Sequence, residues 1–245
     1  MPPAVPGARM PAAKRSWRHI GGSTMSKKVA VCLSGCGFLD GAEIHEAVFT
    51  LLALDEAGAE IICCAPDLPQ ADVVNHARQQ AEAGATRNVL TESARIARGE
   101  IKKLADVRAA DIDALIFPGG FGAAKSLCTF AKDGPNCKVN KDVERLVGEM
   151  VDARKPIGAI CIAPAMIARV LGKRDLHPKL TIGNDAGTAS AINTMGGQHV
   201  DCPVTEAVTD EKLKVVTTPA YMLGPGPKRV RAGISKCVAE VLRLA

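Results

Sequence analysis

Residues Lys155 to Pro164 read Lys-Pro-Ile-Gly-Ala-Ile-Cys-Ile-Ala-Pro and place one cysteine, Cys161, where two patterns meet. The apolar run before Cys161 has the length of a buried strand, and Ala163 to Leu171 after it has helical spacing. A sharp strand-to-helix turn pushes such a side chain out of the sheet, as in a nucleophile elbow. Gly158 is small enough to let strand and helix approach closely. The alternative is a buried, inert thiol at a strand end.

The same position predicts how Cys161 ionises and what surrounds it. Free N–H groups in the first turn of a helix favour negative charge, so we expect the thiol to ionise more easily than usual. A second glycine turn, which contains Gly119 and Gly120, follows another apolar strand. If the two strand ends are neighbours, the N–H groups of Gly119, Gly120 and Ile162 converge on an oxyanion.

Strand and helix patterns alternate along most of the chain. Lys28 to Ser34 reads as a buried strand, Ile44 to Leu54 as a helix capped by Gly58, and Ala59 to Ala65 as the next strand. Such β-α-β units predict a doubly wound α/β domain with a mostly parallel sheet and helices on both faces. The further predicted strands are 112–117, 156–160, 179–182 and 214–217, and the further helices are 139–154, 163–171, 186–195 and 230–244.

Composition excludes several classes of function. The chain has 245 residues, of which 47% are hydrophobic, enough for one large core. Aromatic residues make up only 3%, which argues against nucleic acid as a partner. Apolar runs stay well below the roughly 20 residues of a membrane span. The nine cysteines show no C-x-x-C pair and the five histidines stand apart, so we expect a reducing compartment and no metal site.

The first residues differ from the remainder. Residues 1–24 are rich in Pro, Ala, Gly and Arg and contain no acid, so we expect residues 1–25 to be a disordered leader and residues 26–245 to be the folded domain. The expected location is cytoplasmic. The alternative is a mitochondrial presequence, although four prolines oppose an amphipathic helix in this segment.

A dinucleotide site is the first alternative to cysteine chemistry. Gly35, Gly37 and Gly41 follow the first strand, and Asp67 follows the second. The glycine spacing differs by one residue from the dinucleotide-binding pattern, and Phe38 would crowd a pyrophosphate. We therefore expect a structural turn and no cofactor.

Several blocks in the same order resemble the ElbB glyoxalase family. These blocks are Ser34-Gly35-Cys36-Gly37, Asp40-Gly41-x-Glu43-Ile44-His45-Glu46, Thr86 to Leu90, Pro118 to Lys125, Cys161 to Ala165 and Thr217 to Leu223. This family belongs to the class I glutamine-amidotransferase-like superfamily with the PfpI and ThiJ proteins. The resemblance implies a flavodoxin-like fold, places the elbow nucleophile at Cys161 and places a helix-borne catalytic glutamate at Glu46.

Two departures from the superfamily narrow the expected activity. Pro219 to Arg231 lacks the His and Glu pair of glutaminases, so ammonia transfer is disfavoured. Related glyoxalases carry a histidine where this chain has Gly183 and Asn184.

The function that we expect is a cofactor-independent glyoxalase. Cys161 would convert glyoxal or methylglyoxal to glycolate or lactate through a thiohemiacetal, and protein deglycase activity is a close variant. The alternatives are a noncatalytic redox-sensing or chaperone-like protein that uses the same cysteine, and a ligand-binding module on a retired site. A small dicarbonyl is the expected partner, and the superfamily suggests a homo-oligomer.

Overall fold

The computed structural model describes residues 26–224 and 226–245, so the prediction for residues 1–25 falls outside the described residues. The strands are β1 Lys28–Cys32, β2 Glu60–Ala65, β3 Val74–Asn75, β4 Gln80–Ala81, β5 Lys102–Lys103, β6 Ala114–Phe117, β7 Ile157–Ile160, β8 Lys179–Leu180, β9 Gln198–His199, β10 Val208–Asp210 and β11 Val215–Thr218. The α-helices are α1 Ile44–Glu56, α2 Val89–Ile96, α3 Phe130–Asp133, α4 Lys141–Asp152, α5 Ala163–Gly172, α6 Ala186–Thr194 and α7 Pro227–Leu244.

A seven-stranded sheet forms the centre of the molecule in the order β10-β11-β7-β6-β1-β2-β5. Every neighbouring pair is parallel except β10 and β11. The inner strands β6 and β7 are buried at every residue, as expected for parallel strands that are covered on both faces. The prediction of a doubly wound, mostly parallel sheet is confirmed, and the architecture is flavodoxin-like.

Helices cover both faces of this sheet. One core cluster includes buried side chains from α4 and α5, and the other includes side chains from α1 and α7. Helix α1 packs against α7 and helix α4 packs against α5. Gly58 has a φ of 71° just beyond α1, a conformation that favours glycine at the end of a helix. The predicted cap is therefore confirmed.

Two boundaries differ from the sequence prediction. The strand predicted at 179–182 is only Lys179–Leu180, which pairs with β9 in a separate sheet. It does not extend the central sheet, in which β10 is the edge strand beside β11. Helix α7 begins at Pro227 instead of Val230, since proline is well tolerated in the first turn of a helix. Helix α2 was not predicted, because its eight residues give only a short periodic pattern.

Neither a membrane-spanning helix nor a metal-binding cluster occurs in the described part of the chain. Across residues 26–224 and 226–245, no helix is both long and apolar enough to cross a bilayer. The same residues hold no group of three or more His, Cys, Asp or Glu side chains arranged to bind a metal ion. All nine cysteines lie in the described ranges and are free thiols.

Candidate active site

Three strand ends meet at the carboxyl edge of the sheet. Register pairs Phe117 with Ala159 across β6 and β7, and Ile160 with Thr218 across β7 and β11. The turns that follow these strands are therefore adjacent in space. From the sequence, the glycine turn after β6 is expected to lie beside the cysteine after β7 if the two strands are neighbours. This condition is confirmed.

Cys161 occupies a strained turn between β7 and α5. Its φ is 61°, in the left-handed region that residues other than glycine rarely adopt. The Cys161 N–H donates to the Thr218 carbonyl at 2.9 Å, and α5 begins two residues later with Pro164 in its first turn. Such strain costs roughly 1–3 kcal/mol and persists only where the surrounding structure enforces it. The strand, the strained residue and the helix together have the geometry of a nucleophile elbow.

Gly119 allows the carboxyl of Glu46 and the side chain of Cys161 to approach each other. A Cβ atom at Gly119 would lie 2.4 Å from Cys161 Cβ and 2.7 Å from Glu46 Oε2. Gly120 has a φ of 91°, and its own Cβ would lie 2.4 Å from the Glu43 backbone nitrogen. Any larger side chain at either glycine would displace backbone or separate the two functional groups.

Glu46 is fully buried in the first turn of α1, and its carboxyl accepts two backbone hydrogen bonds. The Gly119 N–H donates to Oε2 at 2.9 Å, and the Tyr221 N–H donates to Oε1 at 3.3 Å. The start of α1 is fixed by Glu43, whose carboxylate accepts the Glu46 N–H at 2.7 Å. The side chain of Cys161 lies beside this carboxyl, because both flank the point that a Cβ atom of Gly119 would occupy. The structure therefore brings together the two side chains that the resemblance pairs.

Burial and, to a smaller extent, the negative charge of Glu43 raise the pKa of the Glu46 carboxyl to about 8. The hydrogen bonds from the Tyr221 and Gly119 N–H groups and the neighbouring Cys161 thiol oppose this shift, because they favour the carboxylate. Burial outweighs these bonds, so Glu46 holds a proton through most of the neutral range.

The expectation that Cys161 ionises easily is wrong for the free protein. Only 7% of Cys161 is exposed, and burial followed by the charge of Glu46 raises the pKa of its thiol well above the usual range. Backbone hydrogen bonds from Gly120 and Ile162 favour the thiolate, as the elbow geometry predicts, but they are the smaller effect. The thiol of Cys161 and the carboxyl of Glu46 together hold two protons at acidic pH, so a thiolate forms only after this pair has lost one of them.

The predicted set of oxyanion donors needs one correction. The Gly119 N–H is already hydrogen-bonded to Glu46, so it orients the carboxyl and does not lie free beside the sulfur. The N–H groups of Gly120 and Ile162 favour the Cys161 thiolate and so act to lower the pKa of the thiol. These two amides are the remaining candidates for the expected oxyanion donors.

The position of the absent histidine is filled by apolar side chains. Gly183 has a φ of 102°, and a Cβ there would lie 2.8 Å from Leu223 Cδ2 and 3.4 Å from Pro219 Cβ. Of the five histidines, His45 lies nearest along the chain to Glu46, and its Nδ1 is 2.7 Å from the hydroxyl oxygen of Tyr221. Sequence reasoning gave Tyr221 no role, since a backbone donor leaves no signal in residue type.

The glycine turn after β1 is structural. A Cβ at Gly41 would lie 2.4 Å from the Cys36 backbone nitrogen, so close packing of the turn requires glycine. Asp67 forms an ion pair with Lys103 at 2.8 Å. The reading of this segment as a turn is consistent with these contacts.

Fold and site together define a class: a flavodoxin-like α/β domain that carries a cysteine at a strained strand-to-helix turn beside a buried glutamate. The sequence model of the DJ-1/PfpI family matches residues 27–221, and the chain belongs to this family.

Relatives and a solved structure support the same class. The chain is 48% identical to the human protein named glutamine amidotransferase-like class 1 domain-containing protein 3, mitochondrial, over 98% of this chain and 91% of that protein. It is 46% identical to the Rattus norvegicus ES1 protein homolog, mitochondrial, over 97% and 91%. A crystal structure of an isoprenoid biosynthesis protein with an amidotransferase-like domain from Ehrlichia chaffeensis matches with a TM-score of 0.84 and 37% identity, covering 89% of this chain and 99% of that one.

Proposed function

We propose that this protein is a cofactor-independent glyoxalase of the ElbB type that converts glyoxal or methylglyoxal to the 2-hydroxy acid. The observation that carries the proposal is that Cys161, at a strained strand-to-helix turn, and the buried Glu46 carboxyl flank the same glycine, Gly119. A nucleophile beside a group that can accept and return a proton is the minimum for covalent catalysis on a carbonyl.

The reaction balances without an oxidant. After the pair has lost one proton, the Cys161 sulfur adds to the aldehyde carbon and the amides of Gly120 and Ile162 stabilise the oxyanion. Glu46 then gives its proton to this oxyanion and, as a carboxylate, takes the proton from the same carbon, which forms an enediol. A proton passes between the two enediol oxygens, and Glu46 returns its proton to the neighbouring carbon, giving a hydroxyacyl thioester. Water cleaves the carbon–sulfur bond, the thiol regains its proton, and one glyoxal plus one water yields glycolate and a proton.

The test compares glycolate formation from glyoxal by wild type, by Cys161→Ser and Glu46→Gln, and by Cys202→Ser. Cys202 is a matched control because it is 7% exposed, like Cys161, but lies outside the elbow. We expect Cys161→Ser and Glu46→Gln each to lose about 100-fold or more of the activity, and Cys202→Ser to stay within about twofold of wild type. Wild-type turnover no faster than buffer, or full activity of Cys161→Ser, would refute the proposal.

A redox-sensing or chaperone-like role of Cys161 is the alternative, and the absence of a basic residue at Gly183 favours it. Burial and the raised pKa of the thiol disfavour it, since peroxide reacts with thiolates. Peroxide treatment followed by intact mass, beside the glyoxal assay, separates the two roles. Selective oxidation of Cys161 without glyoxal turnover would support the sensor.

We also propose that the protein is mitochondrial, in place of the cytoplasmic location that the sequence analysis expected. Relatives that align over nearly the whole chain carry the word mitochondrial in their names. Residues 1–24 contain basic residues and no acid, which suits a presequence. The full chain and a chain that begins at Met25, each with a C-terminal fluorescent tag, test this. We expect mitochondrial fluorescence from the full chain only, and cytoplasmic fluorescence from both would exclude it.

A further inference from the structure

Tyr221 contacts the site through both its backbone and its side chain. Its N–H donates to Glu46 Oε1 at 3.3 Å, and its hydroxyl oxygen lies 2.7 Å from His45 Nδ1. His45 immediately precedes Glu46 on α1. These contacts close a ring that runs from the Glu46 carboxyl through Tyr221 and His45 back to the Glu46 backbone.

The backbone of Tyr221 is held locally by one turn, in which the Gly224 N–H donates to the Tyr221 carbonyl at 3.0 Å. It lies in the one-turn 3-10 helix Ala220–Leu223, which has no side-chain cap at its start. The preceding residue, Ala220, has a φ of 45°, a strained value for a residue with a Cβ atom. The bond from the Tyr221 N–H to Glu46 is also longer than the usual 2.9–3.0 Å. The tether to His45 is therefore well placed to hold the segment.

We propose that Tyr221 is a positioning residue, whose hydroxyl contact with His45 holds its backbone N–H against Glu46 and so sets how Glu46 and Cys161 share a proton. The part of this inference that concerns turnover rests on the proposed function. The titratable residues that face the Glu46 carboxyl are Glu43 on its own helix, Cys161 at the elbow and Tyr221 after β11, and the Gly119 N–H is its other backbone donor. Replacing Tyr221 with Phe changes none of the neighbouring charges.

The two acidic groups give a distinctive pH dependence. The pair loses its first proton mainly from Glu46, whose pKa is about 8, and the reactive species is the minor form with the thiolate and a protonated carboxyl. A weaker bond from Tyr221 destabilises only the carboxylate form. The pH at the midpoint of Cys161 reactivity then rises, and the plateau rate increases by the factor by which the acid dissociation constant of Glu46 falls. The reaction rate at acidic pH stays unchanged.

The experiment measures alkylation of Cys161 by iodoacetamide between pH 6 and 10, resolved by peptide mass spectrometry. The Cys36→Ser background removes the half-buried thiol from the reaction. For Tyr221→Phe we expect a midpoint about 0.5 pH units higher, with a plateau about threefold faster. His45→Ala removes the other partner and is expected to shift the curve in the same direction, and the double variant is expected to add no further shift.

Three results would overturn the proposal. In the first, the curve of Tyr221→Phe overlays that of wild type. In the second, the alkylation rate rises equally at every pH without a shift in midpoint. In the third, the midpoint shifts of the two single variants add in the double variant. The second pattern is that of a looser structure that only exposes the thiol. Because alkylation needs no turnover, a shifted curve with an inactive wild type would refute the glyoxalase and retain the positioning role, and active wild type with unshifted curves would do the reverse.

Discussion

The side chain of Cys161 and the carboxyl of Glu46 lie on either side of Gly119, and both groups are buried. Each negative charge opposes the other, so the pair behaves as one unit that holds two protons at acidic pH. The elbow supplies the sulfur with backbone donors, yet burial dominates the ionisation of both groups. The pH dependence of the protein should therefore report the pair and not an isolated thiolate.

The first prediction concerns the pH profile of glyoxal conversion. Because the pair must lose a proton whose pKa is about 8, kcat/KM should rise about tenfold per pH unit at acidic pH and level off above pH 8. Steady-state assays of glycolate from pH 6 to 9.5 measure this. In Glu46→Gln the plateau near pH 8 should be absent, since only the thiol titrates. A profile that is flat from pH 6 to 9 contradicts the assignment.

The second prediction concerns stability. The folded state holds the Glu46 proton up to about pH 8, whereas an ordinary glutamate loses it near 4.5, so the folded state binds more protons between these values. Stability from this group is therefore fully present below pH 4.5 and falls as pH rises, by at most about 1.4 kcal/mol per unit. Urea unfolding of wild type and Glu46→Gln at several pH values measures it. The unfolding free energy of wild type, relative to that of Glu46→Gln, should fall as the pH rises. A difference that stays constant with pH would contradict this prediction.

The third prediction concerns Gly119. In Gly119→Ala the new methyl group collides with both Cys161 and Glu46, so we expect about 100-fold lower glyoxal turnover and roughly 1–3 kcal/mol lower stability. Gly187→Ala is the matched control, because its Cβ would meet nothing closer than 3.6 Å on an exposed part of α6. Alanine should stabilise that helix slightly or leave it unchanged. Equal activity and stability of the two variants would show that the close approach at Gly119 is unimportant.

The fourth prediction concerns the order in which thiols react. Cys36 is half-buried and the other eight cysteines, all within the described ranges, are buried. At pH 7 iodoacetamide should therefore modify Cys36 first, and modification of Cys161 should become fast only as the pH passes about 8. Peptide mass spectrometry after timed quenching gives the order. Labelling of Cys161 ahead of Cys36 at pH 7 would mean that its thiol is more ionised than the buried pair allows.

The sequence by itself determined the main strands and helices of this protein and the position of the elbow. Buried parallel strands must be apolar along their length and elbows need small residues around the turn, so the pattern at 155–164 predicted β7, Cys161 and α5 locally. Glycine at the end of α1 likewise predicted its boundary. These features depend on neighbours in the chain, and they agree with the structure to within a few residues. Short elements such as α2 carried too little pattern to be predicted.

Only the tertiary structure decided the charge state and the donors of the site. Burial of Cys161 and its contact with Glu46 bring together residues far apart in the chain, and they reversed the expected ionisation of the thiol. The same packing assigned the Gly119 amide to Glu46 and brought a Tyr221 amide to the same carboxyl. The pKa of a buried group depends on desolvation and on charges that are close in space, which the order of residues does not show. Backbone N–H donors are the same in almost every residue type, so the sequence does not show which of them reach the site.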